Sequence, residues 1–241
     1  DNKMDAVAVM KKACEGKDGF RVEALRTMYP QGGEKVLIYN CTGKIVPEGK
    51  LPIDVGTIVI NVTTLAFIAK YIETGMPLVE KCVTVDGSAI KSPMNVIVPI
   101  GTSIRELIEF TGNSTEDICK ALYGGLMMGI AVYSLDDPIL KNNNAIVALS
   151  AKDAANPQSF ACIHCGRCVA TCPMGLNPTL YAKAMKVEDK NERIARLNEA
   201  KLNLCMECGC CSFVCPSRRP LVDTNRLAKA ELRNAQAAKK N

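Results

Sequence analysis

Two copies of one cysteine pattern constrain this chain more than any other feature: Cys162-x2-Cys165-x2-Cys168-x3-Cys172-Pro173 and Cys205-x2-Cys208-x2-Cys211-x3-Cys215-Pro216. In such a run a short loop lets three thiolates reach three irons of a cubane, while the fourth cysteine, just before proline, points to the other cluster. The spacing therefore predicts two [4Fe–4S] centres with crossed ligation. Cys162, Cys165, Cys168 and Cys215 would hold one, and Cys205, Cys208, Cys211 and Cys172 the other. Ligands shared across the two loops keep the centres close, which favours electron hopping between them. Structural zinc uses cysteine pairs with a long gap between them, and disulfides need an oxidising compartment; neither suits two quartets that each end in Cys-Pro. Gly166 and Gly209 follow the second cysteine of each run, where bare backbone can approach sulfide and donate N–H bonds. Eight cysteines complete both sets, so Cys210 reads as a bystander thiol and His164, the only histidine, as an exposed loop residue.

A chain of 241 residues can bury a sizeable core and has room for two or three small domains. Of its 13 cysteines, Cys14, Cys41, Cys82, Cys119 and Cys210 lie outside the two quartets and show no metal spacing, as free thiols would in a reducing cytoplasm. No apolar run approaches the roughly 18 residues of a membrane span, and no signal-peptide pattern is present. Charge is uneven: from Ala161 onward there are 14 Lys and Arg against 7 Asp and Glu, and before it 16 against 18. The basic half is explained by the net negative charge of thiolate-ligated cubanes, which local cations offset. Nucleic-acid binding is not expected, because aromatic and basic residues are not interleaved.

The chain begins Asp1-Asn2-Lys3, as if within a longer polypeptide, and Met4–Cys14 reads as a helix with Val7, Met10 and Cys14 on one face. Phe20–Leu25 and Thr57–Val62 read as strands, and Leu65–Glu73 as a helix stopped by Gly75 and Pro77. Between them, Gly32 and Gly33 precede a helix with Glu34 in its first turn. That arrangement suits either an anion at the exposed N–H groups or, more commonly, a turn with a capping glutamate. Val79–Val85 and Asn95–Pro99 alternate as strands around an Asp86-Gly87 turn, and Ser103-Ile-Arg-Glu106 is a capping box opening a helix to Phe110. Strand, hairpin, strand and helix in so few residues suit a β-grasp module. Ser114 is expected to cap a short helix, Ile130–Ser134 to form a strand, and the Met127-Met128 pair to pack in a core. Asn142–Asn144 and Lys152–Gln158 read as linkers. The 32 residues between Cys172 and Cys205 read as two helices, Pro178–Lys186 and Glu188–Leu204, and Pro220 starts a last helix whose end, Ala235–Asn241, frays into a basic tail.

Several stretches together resemble the C subunit of the Rnf complex, the membrane-associated ferredoxin–NAD oxidoreductase that couples electron transfer to sodium or proton transport. They are Tyr29-Pro-Gln-Gly-Gly-Glu-Lys35, Leu51-Pro-Ile-Asp-Val-Gly56, Gly124-Gly-Leu-Met-Met-Gly129, Cys162-Ile-His-Cys-Gly-Arg-Cys168, Cys172-Pro-Met-Gly-Leu176 and Cys215-Pro-Ser217. The Rnf protein is in turn similar to the flavin-bearing NADH-oxidising subunit of respiratory complex I. That family's Gly-Glu-Glu-Thr stretch looks like Gly32-Gly33-Glu34-Lys35, with Gly33 in place of the first glutamate and Lys35 of the threonine. Its Asn-Asn-Val-Glu-Thr stretch looks like Ile60-Asn61-Val62-Thr63-Thr64, with Ile60 in place of an asparagine. Asn2 and Lys3 look like the end of the flavin-side strand. The resemblance thus implies Asn2, Lys3, Gly32, Gly33, Glu34, Asn61 and Thr64 at an FMN site only partly present here, since the family's glycine-rich FMN loop has no counterpart in this sequence. No catalytic side chain is assigned.

The resemblance implies an α+β architecture. Residues 1–78 would be the C-terminal part of a flavin/NAD-binding α/β domain, 79–134 a β-grasp (SLBB-like) module, 135–154 a connecting segment, and 155–241 an α-helical 2[4Fe–4S] ferredoxin domain. The implied function is that of a peripheral subunit on the cytoplasmic side of the cell membrane. It would pass electrons between NAD(H), through FMN, and ferredoxin-side carriers, with the other Rnf subunits as partners. A cobalamin-reducing flavoprotein of bacterial microcompartments has a similar layout, and a ferredoxin-like electron-wire module without its own flavin would share the cysteine pattern; both are alternatives to the Rnf reading.

Overall fold

A computed structural model describes residues 2–238. The N-terminal third carries three helices, α1 (Met4–Cys14), α2 (Glu34–Thr42) and α3 (Val62–Thr74). Each stops where the chain demands it: α2 and α3 end on left-handed glycines, Gly43 and Gly75, the backbone region only glycine enters freely. The strands expected at Phe20–Leu25 and Thr57–Val62 do not form. Neither has a neighbouring strand to pair with, and Asn61 instead caps α3, its side-chain oxygen accepting from the Thr63 N–H at 2.9 Å. Across the described residues of this third, only Ile38 and Val46 are buried, and α1 and α3 have no buried residue.

The middle of the chain builds a mixed five-stranded sheet. β1 (Glu80–Asp86) and β2 (Met94–Pro99) form the expected hairpin, followed by α4 (Ile104–Phe110), β3 (Lys120–Tyr123), β4 (Ile130–Ala131) and β5 (Ala145–Leu149). The order is β2-β1-β5-β3-β4, with β1 and β5 parallel and the remaining pairs antiparallel. Alternation drives this: Val83 and Val85 of β1 and Val96 and Val98 of β2 all point inward. They meet Ile104, Leu107 and Ile108 of α4 in one core. The capping box forms, with Ser103 Oγ accepting from the Glu106 N–H and the Glu106 carboxylate accepting from the Ser103 N–H, both at 3.1 Å. Three expectations are corrected. β5 falls in the span read as a connector, yet it is the middle strand of the sheet, so the sheet extends to Leu149. The segment after Ser114 is a turn rather than a helix, and β4 is shorter than Ile130–Ser134.

Beyond a single turn of helix, α5 (Ala151–Ala154), lies an all-helical unit. It comprises α6 (Arg167–Ala170), α7 (Pro178–Ala184), α8 (Lys190–Glu199), α9 (Cys210–Phe213) and α10 (Leu221–Ala238). The expected Glu188–Leu204 helix is broken near its end because Lys201 adopts a left-handed conformation, φ 56°. The chain turns there, and Leu202–Leu204 forms a 3₁₀ turn. Tyr181, Leu197, Leu202, Ala228 and Leu232 make the core that binds α7, α8 and α10 together. α10 continues helically through Ala238, past the expected start of fraying at Ala235, and the last three residues of the basic tail lie outside the described residues. No helix among the described residues is long and apolar enough to cross a membrane.

Candidate iron–sulfur centres and the stretch packed against them

The two cysteine runs fold alike. His164 and Glu207, at matching positions, both take a left-handed backbone (φ 55° and 57°), as do Gly166 and Gly209 (75° and 82°) and Gly175 and Arg218 (63° and 50°). Each left-handed glycine caps a one-turn helix, α6 or α9, that carries the third cysteine of its run. The repeated dihedrals wrap each loop around a hollow, so the inward-facing sulfurs are a consequence of backbone conformation rather than of side-chain choice alone.

Each hollow takes three cysteines from one run and one from the other. Cys162, Cys165, Cys168 and Cys215 line one cavity. Cys172, Cys205, Cys208 and Cys211 line the second, together with Cys210. Each cavity has a volume of about 360 Å³ including its open mouth. The grouping coincides with the two crossed ligand sets read from the spacing. Among the described residues no three Cys, His, Asp or Glu side chains converge tightly enough to hold a single metal ion. A zinc ion draws its thiolates to about 2.3 Å, whereas a cubane presents iron at four separate corners and needs its sulfurs spread around a hollow. The donor set and its spread fit a cluster.

Electrostatics point the same way. Burial, with Cys205, Cys208 and Cys172 around it, pushes the Cys211 thiol up to about 12. Burial also raises Cys168 and Cys205. Several buried thiols facing one hollow resist ionising together, and a bound cationic core would remove that penalty. Part of the compensation is built in. Backbone N–H groups of Val169, Glu207 and Ser212 reach the Cys168, Cys205 and Cys211 sulfurs and lower those thiols.

The two cavities differ in cover. Around the first, Ile163, Cys165 and Gly166 are exposed, and Lys183, Lys186, Arg219 and His164 line an adjoining cleft of about 730 Å³. Over the second, two other parts of the chain converge. The Tyr29 hydroxyl donates to the Cys208 carbonyl at 2.6 Å. Gly33 packs so closely on the Met206 side chain that a Cβ there would collide with it. From the sheet unit, the Met127 carbonyl would lie 2.7 Å from a Cβ on Gly209, and the Met128 carbonyl accepts from Arg226 at 3.0 Å. The methionine pair therefore sits on the cysteine loop and not in a core, contrary to expectation.

Of the residues that the resemblance places at a flavin, Asn2 and Gly32 line one open cleft with Thr27, Met28 and Tyr29. Glu34 lies in the first turn of α2, directly after Gly33. Lys3 precedes α1 and is exposed. Thr64 faces a different cleft, between α3 and β1, with Lys70 and Cys82, and Asn61 is occupied as a helix cap.

A family model for the Nuo51 FMN-binding domain matches residues 1–70, and one for a 4Fe-4S dicluster domain matches residues 158–219. Among curated proteins the chain is 45% identical to the C subunit of the proton-translocating ferredoxin:NAD(+) oxidoreductase complex of Clostridium ljungdahlii, over 76% of this chain and 40% of that protein. It is 39% identical to the C subunit of the Na(+)-translocating complex of Acetobacterium woodii, over 76% of this chain and 41% of that protein. It is also 39% identical to the C subunit of the ion-translocating oxidoreductase complex of Pseudomonas aeruginosa, over 74% of this chain and 23% of that protein. The chain belongs to the C-subunit family of ion-translocating oxidoreductase complexes.

The chain spans about two fifths of the length of the first two relatives. The cofactors of this C-subunit family member are those of its matched domains, FMN and a pair of 4Fe–4S clusters. Several residues that build its site carry no signal in the sequence. Tyr29 and Met206 act through contacts spanning most of the chain. Asn225 and Lys229 of α10 reach the Cys205 sulfur and carbonyl, at 3.5 and 2.8 Å. Cys210, expected as a bystander, is buried in the second cavity, where burial and the neighbouring Cys208 push its thiol up to about 11. Its place in the chain beside Cys208 and Cys211 is the one available hint.

Proposed function

We propose that this chain is the electron-conducting part of a subunit that passes electrons between NAD(H) and ferredoxin-side carriers in an ion-translocating complex. FMN, when bound, supplies the exchange between hydride and single electrons, and the clusters supply one-electron conduction between it and the partner subunits. Cys162, Cys165, Cys168 and Cys215 would hold one cluster, and Cys205, Cys208, Cys211 and Cys172 the other. The observation that carries this reading is that two crossed quartets line two separate hollows, the inner one clasped by residues 29–33 of the FMN-matched stretch.

The chain's own residues then have distinct tasks. Tyr29 and Gly33 hold the stretch bearing the flavin-side candidates Gly32 and Glu34 against the inner loop. Asn2 and Lys3 lie at the start of the same FMN-matched region, while Asn61 and Thr64 would join them only through a rearrangement of α3. Met127 packs against Gly209 of the inner loop. The outer loop, with Ile163 and Cys165 exposed beside Lys183, Lys186 and Arg219, is left open to a partner. The sheet of residues 79–149 supports reading it as a β-grasp, SLBB-like module, because its first and last strands are parallel neighbours at the centre and one helix packs across it. A peripheral position on the cytoplasmic side of the membrane is part of the same reading.

Anaerobic quantification of iron, acid-labile sulfide and flavin in the full-length protein tests the reading. Two cubanes and one FMN per chain are expected. Cys208→Ser should lower iron and change the reducible spectrum, because thiolate ligation and folding are coupled. A colourless protein containing zinc, or a Cys208→Ser variant with unchanged iron, would overturn it.

A further inference from the structure

We infer that Asn225 sets the potential of the inner centre apart from that of the outer one by donating a hydrogen bond to the Cys205 sulfur. The inference rests on the reading that the inner cavity holds a cubane. Asn225 lies on the buried face of α10, among Leu221, Val222, Ala228 and Leu232, with 1% of its surface exposed. An apolar side chain would be the ordinary occupant of such a place. Its Nδ2 is 3.5 Å from Cys205 Sγ. Its Oδ1 is the one buried side-chain polar atom among the described residues without a hydrogen-bond partner in the protein.

Burying an amide with its oxygen unpaired is costly, so packing alone does not account for it. The reverse orientation would set a carbonyl oxygen against a thiolate and leave the NH2 group without an acceptor. The N–H groups are therefore what the site uses. Nearby charges act on Cys205 without a hydrogen bond to its sulfur: that of Lys229 favours the thiolate and that of Glu207 opposes it. Lys229 is bound to the Cys205 carbonyl and, at 2.8 Å, to the Glu207 carboxylate, and Arg226 also faces Glu207, at 3.6 Å. In the outer cavity, by contrast, Cys168 receives hydrogen bonds from backbone N–H groups only.

Reduction adds one negative charge to a cluster and its thiolates. A donor to a ligand sulfur stabilises the reduced form more than the oxidised form and raises the potential. Asn225 is thus a positioning residue acting through Cys205, and it makes the inner centre easier to reduce than its backbone donors alone would.

The test is an EPR-monitored redox titration of the anaerobically purified full-length protein, with iron and sulfide content read first. Asn225→Leu, close in volume, should retain iron and lower the potential of one centre only. At a fixed solution potential the reduced-to-oxidised ratio of that centre should fall about tenfold, equivalent to about 59 mV for one electron. Asn225→Asp keeps the shape, turns a carboxylate toward the sulfur, and should lower the same centre further. If Asn225→Leu loses iron, the aspartate variant decides. Unmoved potentials, equal shifts of both centres, or loss of iron from both variants would overturn the inference. A wild-type protein lacking clusters would instead remove the reading on which it stands.

Discussion

At the residue scale, the two cysteine loops offer a matched comparison. Gly166 and Gly209 share a left-handed backbone, so any side chain is strained at both, by roughly 1–2 kcal/mol. Only Gly209 also has the Met127 carbonyl against it, 2.7 Å from where a Cβ would sit; around Gly166 the space is open. Gly209→Ala should therefore lower the melting temperature more than Gly166→Ala and release iron faster to a chelator. Equal effects would show that the contact between Met127 and the loop contributes nothing. The same contact explains why the sequence pattern points the methionine pair to a core. Met127 meets the loop with both its backbone carbonyl and its Cε, 2.7 and 3.5 Å from where a Cβ on Gly209 would sit, and side-chain character alone does not say which surface a methionine covers.

At the element scale, regular structure was legible where the pattern and the partner agreed. The β1–β2 hairpin, α4 with its capping box, α1 and α7 were all readable from local signals. Ser103→Ala removes one half of that box and should cost about 1 kcal/mol, measurable as a shift in the urea midpoint with an unchanged slope. A wild-type midpoint would mean that α4 is held by its buried face alone. Phe20–Leu25 and Thr57–Val62 had strand-like alternation but no neighbour, and a strand without a ladder leaves its backbone groups unpaired. β5 failed in the opposite sense. Ala145–Leu149 is a short apolar run without clean alternation, as expected for a strand covered on both sides, and it follows three asparagines that read as a linker. The grouping of eight cysteines around two hollows was legible in their spacing. Tyr29, Met206, Asn225 and Lys229 were not, because their roles exist only once distant segments meet.

At the scale of the whole molecule, burial is divided unequally. The sheet unit has a closed core reaching from Val83 to Ala148, whereas residues 2–78 bury only Ile38 and Val46 among those described and expose Val62, Leu65 and Ile72 on α3. A fragment of residues 79–150 should fold alone with a cooperative melt, and a fragment of residues 1–78 should not. A cooperative transition in the second fragment would show that its apolar surface finds cover by itself. In the intact chain that surface needs a neighbour, since exposed apolar area of this extent marks an interaction face.

The exchange of Cys172 and Cys215 between the two hollows has a consequence for how the protein fails. With clusters bound as proposed, each loop would be pinned by a sulfur belonging to its neighbour, so an oxidant entering at the exposed Cys165 edge would also free Cys215, and with it the segment leading into α10, whose Val222 and Asn225 line the other hollow. Damage at that exposed edge should therefore reach the second centre as well. During exposure to air the two centres are expected to bleach with a single shared half-life, and two well-separated phases would mean that they perish independently.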